Sequence, residues 1–217
     1  MVKVQTLFPA WGVFLILLAL SAGCSTTYYA AMEKLGKEKR HLLADNVEDV
    51  KDSQTQAKEE FIDALTRIQE LYAFDGGELE TVYNRIKSSY DDCRSRADQI
   101  ESRIARVKSV AKDLFAEWAA EIQEIQDPGL KKTSRKSLSE TRARFQNLET
   151  AMDRSARAMA PVLAKLKDTV LFLKHNLNAQ AVGALGKEAV SIETDVDALI
   201  RDMNAAIAEA DQFIKHF

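Results

Sequence analysis

Apolar residues recur at alternating steps of three and four through most of the chain, in four runs. The first is Leu43, Val47, Val50, Gln54, Ala57, Phe61, Ala64, Ile68 and Leu71, with Gln54 its one polar member. The second passes through Tyr83, Ile86, Tyr90, Cys93, Ala97, Ile100, Ile104, Val107, Ala111, Leu114 and Trp118. The third passes through Leu138, Thr141, Phe145, Leu148, Met152, Ser155, Met159, Val162, Leu166, Val170, Leu173 and Leu177, and the fourth through Ile192, Val196, Leu199, Met203, Ala206, Ala210 and Phe213. A mean step of ~3.5 residues keeps side chains on one helical stripe and is the mark of a coiled-coil seam. Ile200, Ile207 and Ile214 widen the last stripe, as a bundle core requires.

The breaks fall between the runs. Phe74-Asp75-Gly76-Gly77 ends the first, Asp127-Pro128-Gly129 ends the second, and Gly183 to Gly186 parts the third from the fourth. Short loops between long helices make antiparallel neighbours. The spacing predicts three helices of roughly 45–50 residues, about 70 Å each, and a shorter fourth. Pro161 lies inside the third, where the lost backbone donor predicts a kink or a division. The fold class is therefore all-α: an elongated antiparallel up-down helical bundle, or coiled coil.

Composition agrees, with only 8 Gly and 3 Pro in 217 residues; few turn residues mean few turns. The formal net charge of −3 supplies no global basic field, so nucleic acid is not an expected partner.

The N-terminus carries a different pattern. Lys3 precedes the apolar run Trp11 to Leu20, and Ser21-Ala22-Gly23-Cys24 follows it. A charged start, a short apolar stretch and small residues at a cut site make a secretory signal peptide. With Cys24 after the small residues, the pattern resembles a bacterial lipobox, although Ser21 stands where such motifs usually carry Leu. The resemblance implies cleavage before Cys24, acyl chains such as palmitate on Cys24, a signal peptide over 1–23 and a single bundle domain over 24–217. Ser25, where Asp would signal retention at the inner membrane, implies the periplasmic side of the outer membrane; the periplasmic face of the inner membrane is the alternative. The alternatives to a lipobox are an ordinary signal peptide or an uncleaved membrane anchor; the apolar run is about half of the ~20 residues that a membrane-spanning helix needs, though Leu7 and Phe8 extend it and Pro9 interrupts it. With Cys24 acylated, Cys93 is the remaining thiol, either packed in the core or paired between chains.

Two polar clusters are candidate contact sites. Lys131, Lys132, Arg135, Lys136, Arg142 and Arg144 follow the Pro128 turn, with Glu140 the one acid among them. If the first helix leads away from Cys24, the second returns this stretch toward the membrane. It reads either as contact with anionic headgroups or as a solvated helix face. Asp75, Glu78, His175, Asn176 and Asn178 gather at the opposite, distal end. They read either as a partner-recognition tip or as helix caps and turns, which Asn and Asp favour. No catalytic residue, cofactor or metal site is expected: the three His are widely separated, and the chain carries no HExxH, GxSxG or Gly-rich phosphate loop.

Four segments also resemble a family of proteobacterial lipoproteins catalogued only as a domain of unknown function. They are Leu71 to Glu80, Phe115-Ala116-Glu117-Trp118, Leu171 to Ala179 and Asp195 to Ile200. The resemblance spans nearly all of the expected mature chain and implies no activity, substrate or catalytic residue. The expectation is thus a non-enzymatic scaffold, spacer or adaptor, held at the membrane through its N-terminal lipid. Its partner would be an envelope protein or a second copy of itself. A membrane-surface-binding module using the basic stretch is the alternative, and an enzyme with an unrecognised site a distant third.

Overall fold

The computed structural model describes residues 39–72, 79–176 and 186–217, except for the side chains of 72 and 186–188. Cys24, the segment 1–23, Asp75, Glu78, Leu177, Asn178 and the turns around 74–77 and 183–185 lie outside the described residues. By internal contacts the chain divides into Met1–Leu42 and Leu43–Phe217. Of the first unit only the opening turn of a helix is described, and the architecture below is that of the second.

Four helices make up the described residues: α1 Lys39–Tyr72, α2 Leu79–Glu124, α3 Pro128–His175 and α4 Gly186–Lys215. They form an all-α bundle, as the periodicity predicts. Their lengths are 34, 46, 48 and 30 residues. Two helices are thus long and two shorter over the described range, where the spacing predicts three long and one short. At ~1.5 Å per residue, α2 and α3 each run to about 70 Å.

Cross-helix polar contacts give the order of the helices. Lys51 of α1 reaches Asp211 of α4, and Lys58 reaches Asn204. Arg96 of α2 donates to Gln56 of α1, and Arg103 to the carbonyl of Asp49. Lys108 of α2 pairs with Asp153 of α3, and both Arg154 and Lys165 of α3 pair with α4, at Asp202 and Asp195. In each pair of neighbours, residue numbers rise on one helix as they fall on the other. The helices therefore close an antiparallel ring in chain order. Across its diagonal, Ser155 of α3 donates to Gln54 of α1 at 2.7 Å, inside the core.

That core is built from the predicted stripes. Every named member of the first and fourth runs is buried, and so is every described member of the third. The second run departs at both ends. At its start Tyr83 and Tyr90 are half-buried and Ser89 is buried instead. At its close Phe115 and Ile122 are buried at 8% and 1% exposure, whereas Leu114 and Trp118 stay half-buried. A straight helix turns at 3.6 residues and drifts against a 3.5 repeat, so the buried stripe slips by one position.

An aromatic ladder joins three helices near the α2–α3 turn. Phe115, Phe145 and Phe213 meet edge to face at 5.6 and 5.7 Å between ring centroids. Such pairs place a ring edge on a neighbouring ring face and contribute about 0.5–1.5 kcal/mol beyond burial.

Pro161 neither divides α3 nor ends it, since the helix is continuous from Pro128 to His175. The residue is exposed, as is Arg157 one turn earlier. The carbonyl that loses its donor therefore lies on the solvent side, where water can replace the missing bond.

Candidate functional site

The turn between α2 and α3 is built by local rules. Asp127 has extended backbone at φ −68° and ψ 121°, and its carboxylate accepts from the Leu130 backbone N–H at 2.7 Å. Pro128 follows at the first helical position, where its missing N–H costs nothing. Lys131 bends back, its Nζ donating to the carbonyl of Gln123 at 3.0 Å. It thereby satisfies one of the acceptors that the end of α2 leaves open. Trp118 Nε1 donates to Ser134 Oγ at 3.0 Å and ties the two helices one turn further in.

The six basic residues predicted as one site divide by role. Arg142 donates to the carbonyl of Phe115 at 3.0 Å, with its guanidinium 5.7 Å from the Phe115 ring centroid. Arg144 donates to Thr141 Oγ1 at 3.1 Å and reaches the carbonyl of His216 at 3.5 Å. Those two arginines and Lys131 hold α3 against α2 and α4. Lys132, Arg135 and Lys136 are exposed and point away from the bundle, and Lys136 lies 3.8 Å from Glu140 in a solvent-exposed pair. Leu130, which no stripe predicts, stands at the turn with 65% of its surface in water. An apolar residue directly after Pro-Gly and outside the three-and-four spacing was the signal available for it in the sequence.

At the other end, α3 closes on Asn176. Its backbone N–H donates to the carbonyl of Leu173 at 3.1 Å, and its side-chain Nδ2 donates to that of Phe172 at 2.9 Å. Asn176 is thus a helix cap that satisfies last-turn carbonyls. Lys174 and His175 occupy the last turn, where positive charge suits the helix dipole, and His175 is exposed. Through the Gln54–Ser155 contact α1 and α3 run parallel, so Tyr72 and His175 end at a similar level. Leu171 and Phe172 are exposed beside His175, at 47% and 36%, and Val190 at the start of α4 is 65% exposed.

Cys93 lies in the core at 0% exposure. Burial, reinforced by the negative charges of Glu60 and Asp92, pushes its thiol up to about 12 from 9.0. It is neither a ready nucleophile nor placed for a bridge between chains. His41, His175 and His216 are all exposed. Among the described residues no three His, Cys, Asp or Glu side chains are grouped to hold a metal ion.

Two open grooves run along α2. One, of about 590 Å³, borders α1 and is lined by Arg94, Arg103 and Arg106 together with Asp49, Asp91 and Asp98, so its formal charges balance. The other, of about 440 Å³, lies toward α3, with Ile104, Ala105, Ala156 and Ala160 as an apolar floor and Lys108 and Asp153 on its rim. Neither brings together an acid, a base and a nucleophile in a closed space. No described helix is long and apolar enough to cross a membrane.

A family model described as protein of unknown function (DUF2959) matches residues 28–217. The chain belongs to this family. The matched span begins just past Cys24 and takes in all four helices, so the bundle is the architecture of the family's domain in this chain. No curated protein and no solved structure matches the chain.

Proposed function

We propose that the protein is a lipid-anchored helical bundle facing the periplasm, acting as a scaffold, spacer or adaptor of the cell envelope rather than as an enzyme. The observation that carries this reading is the continuity of α2 and α3. Each extends unbroken for about 70 Å, and each neighbouring pair of helices in the ring is bridged by charged or polar side chains. A stiff bundle of that reach can hold two things a set distance apart. The Ser21-Ala22-Gly23-Cys24 segment supports attachment through the N-terminus, since a diacylated Cys anchors stably at ~0.8 kcal/mol per buried CH₂. His175, with the neighbouring exposed Leu171 and Phe172, is the surface we assign to a protein partner.

Two experiments test the reading separately. Metabolic labelling with a palmitate analogue should mark the wild-type chain and not Cys24→Ser, which should also leave the membrane fraction. A label retained in Cys24→Ser removes the anchor. Crosslinking in intact cells, followed by mass spectrometry, should then recover an envelope protein through the His175 end. Unchanged capture in a His175→Ala, Phe172→Ala variant of normal helicity removes the adaptor surface.

A further inference from the structure

The α2–α3 hairpin ends in an apolar side chain that the fold leaves in water. Leu130 is 65% exposed although the backbone around it is firmly held. Asp127 accepts from its N–H at 2.7 Å, and the next residue's N–H donates to the Asp127 carbonyl at 3.0 Å. These bonds hold the backbone in a position that leaves most of the side chain in water, an unfavourable place for apolar surface. Lys132, Arg135 and Lys136 stand on the following turns of α3, all exposed. On the other side of the turn Glu121 and Glu124 are exposed on α2, so positive charge is confined to the α3 side.

We propose that this hairpin tip is a lipid-contact surface. Leu130 enters the headgroup region of a bilayer, and Lys132, Arg135 and Lys136 lie against anionic headgroups. The shape of the tip favours lipid over a folded partner. A stable protein interface buries about 800 Å² on each side, whereas this surface is one helix turn on which Leu130 is the single large apolar side chain left exposed among the described residues. A fluid interface accepts such a wedge, and nearby cations add to the binding. The proposal deepens the anchored reading and rests on it: an anchored chain is already at the bilayer, so a small tip suffices to set how the bundle stands.

The test uses the full chain in vesicles of phosphatidylethanolamine and phosphatidylglycerol. An environment-sensitive fluorophore is carried by an unnatural amino acid at Thr133, one turn from Leu130, or at Val190 as the control. Co-flotation is measured in parallel. The expected result is a blue-shifted spectrum at 133, quenched by lipid-borne quenchers, and an aqueous spectrum at 190. Leu130→Gln should abolish the shift. Removing Lys132, Arg135 and Lys136 should lower the insertion equilibrium constant about fivefold for each cation lost, and phosphatidylcholine vesicles should lower it similarly to the loss of all three. A co-floating protein with an aqueous spectrum at 133 overturns the tip and leaves the anchor standing. An equal signal in neutral vesicles overturns the role of the cations, and a chain that does not co-float overturns both readings.

Discussion

Gln54 is 1% exposed, its side-chain oxygen accepts from Ser155, and its Nε2 donor has no partner. A buried donor without a partner costs about 1–3 kcal/mol, so this residue opposes stability while fixing where α1 sits against α3. A single polar residue at a seam position often does this in coiled coils. Gln54→Leu should raise stability by about 1 kcal/mol in urea unfolding, because it removes the unpaired donor and Ser155 can turn to a carbonyl of its own helix. The same variant should show broadened core resonances, since an apolar layer tolerates neighbouring registers. A second prediction concerns Cys93, which has no exposed surface and a thiol held protonated. At pH 8 its alkylation, read by peptide mapping, should be negligible in the native protein and rapid in urea. The sequence showed both residues on the stripe. It could not show that Gln54 faces Ser155, because that pairing joins positions 101 apart.

At the scale of elements, the helices follow from spacing and the turns from a few residues. Asp127 caps α3 through one carboxylate bond, and Asp127→Ala should cost about 1 kcal/mol, measured as a shift in thermal or urea unfolding. Asp127→Asn should recover most of it, since the amide oxygen can accept the same N–H. At two places the structure narrows or changes the reading of an element; at Pro161 it removes the division and not the kink. Pro161 stays inside a continuous α3 because its unsatisfied side faces water. The end of the second stripe moves from Leu114 and Trp118 to Phe115 and Ile122 because the helix keeps its own 3.6-residue turn over many turns. Neither outcome is visible in a count of threes and fours. The basic stretch shows the same limit. Six cations look alike in sequence, yet Arg142 and Arg144 are consumed in clamping helices, Lys131 closes the end of α2, and Lys132, Arg135 and Lys136 remain outward.

For the molecule as a whole, stability should depend on alkaline pH with a sign that the structure dictates. Cys93 keeps its proton to about 12 when folded and loses it near 9.0 when exposed. Its contribution is fully present below pH 9.0 and is lost as pH rises through about 12. Lys51 is raised above 10.5 by hydrogen bonds to Glu48 and Asp211. Lys108 is raised too; partial burial works against its charge, but the bond to Asp153 and the charges of Asp153 and Glu149 outweigh it. Both lysines add stability that is present below 10.5 and lost above it. The melting temperature should therefore be level to about pH 9, then fall, and fall more steeply above 10.5. In Cys93→Ala the decline should begin only near 10.5. A wild-type curve that stays level from pH 9.0 to 10.5 would contradict the protonated, buried thiol.

Periodicity determined that the described residues are helical and which residues form most of the core, and a few Gly, Pro and Asp residues determined where the helices break. Apolar burial acts on every turn of a helix and so leaves its period in the sequence. The tertiary structure decided which helices stand diagonally opposite, where the stripe slips and which cations are left outward. Those outcomes depend on contacts between residues far apart in the chain, and on competition among identical side chains for a few carbonyls and carboxylates. A local pattern records neither.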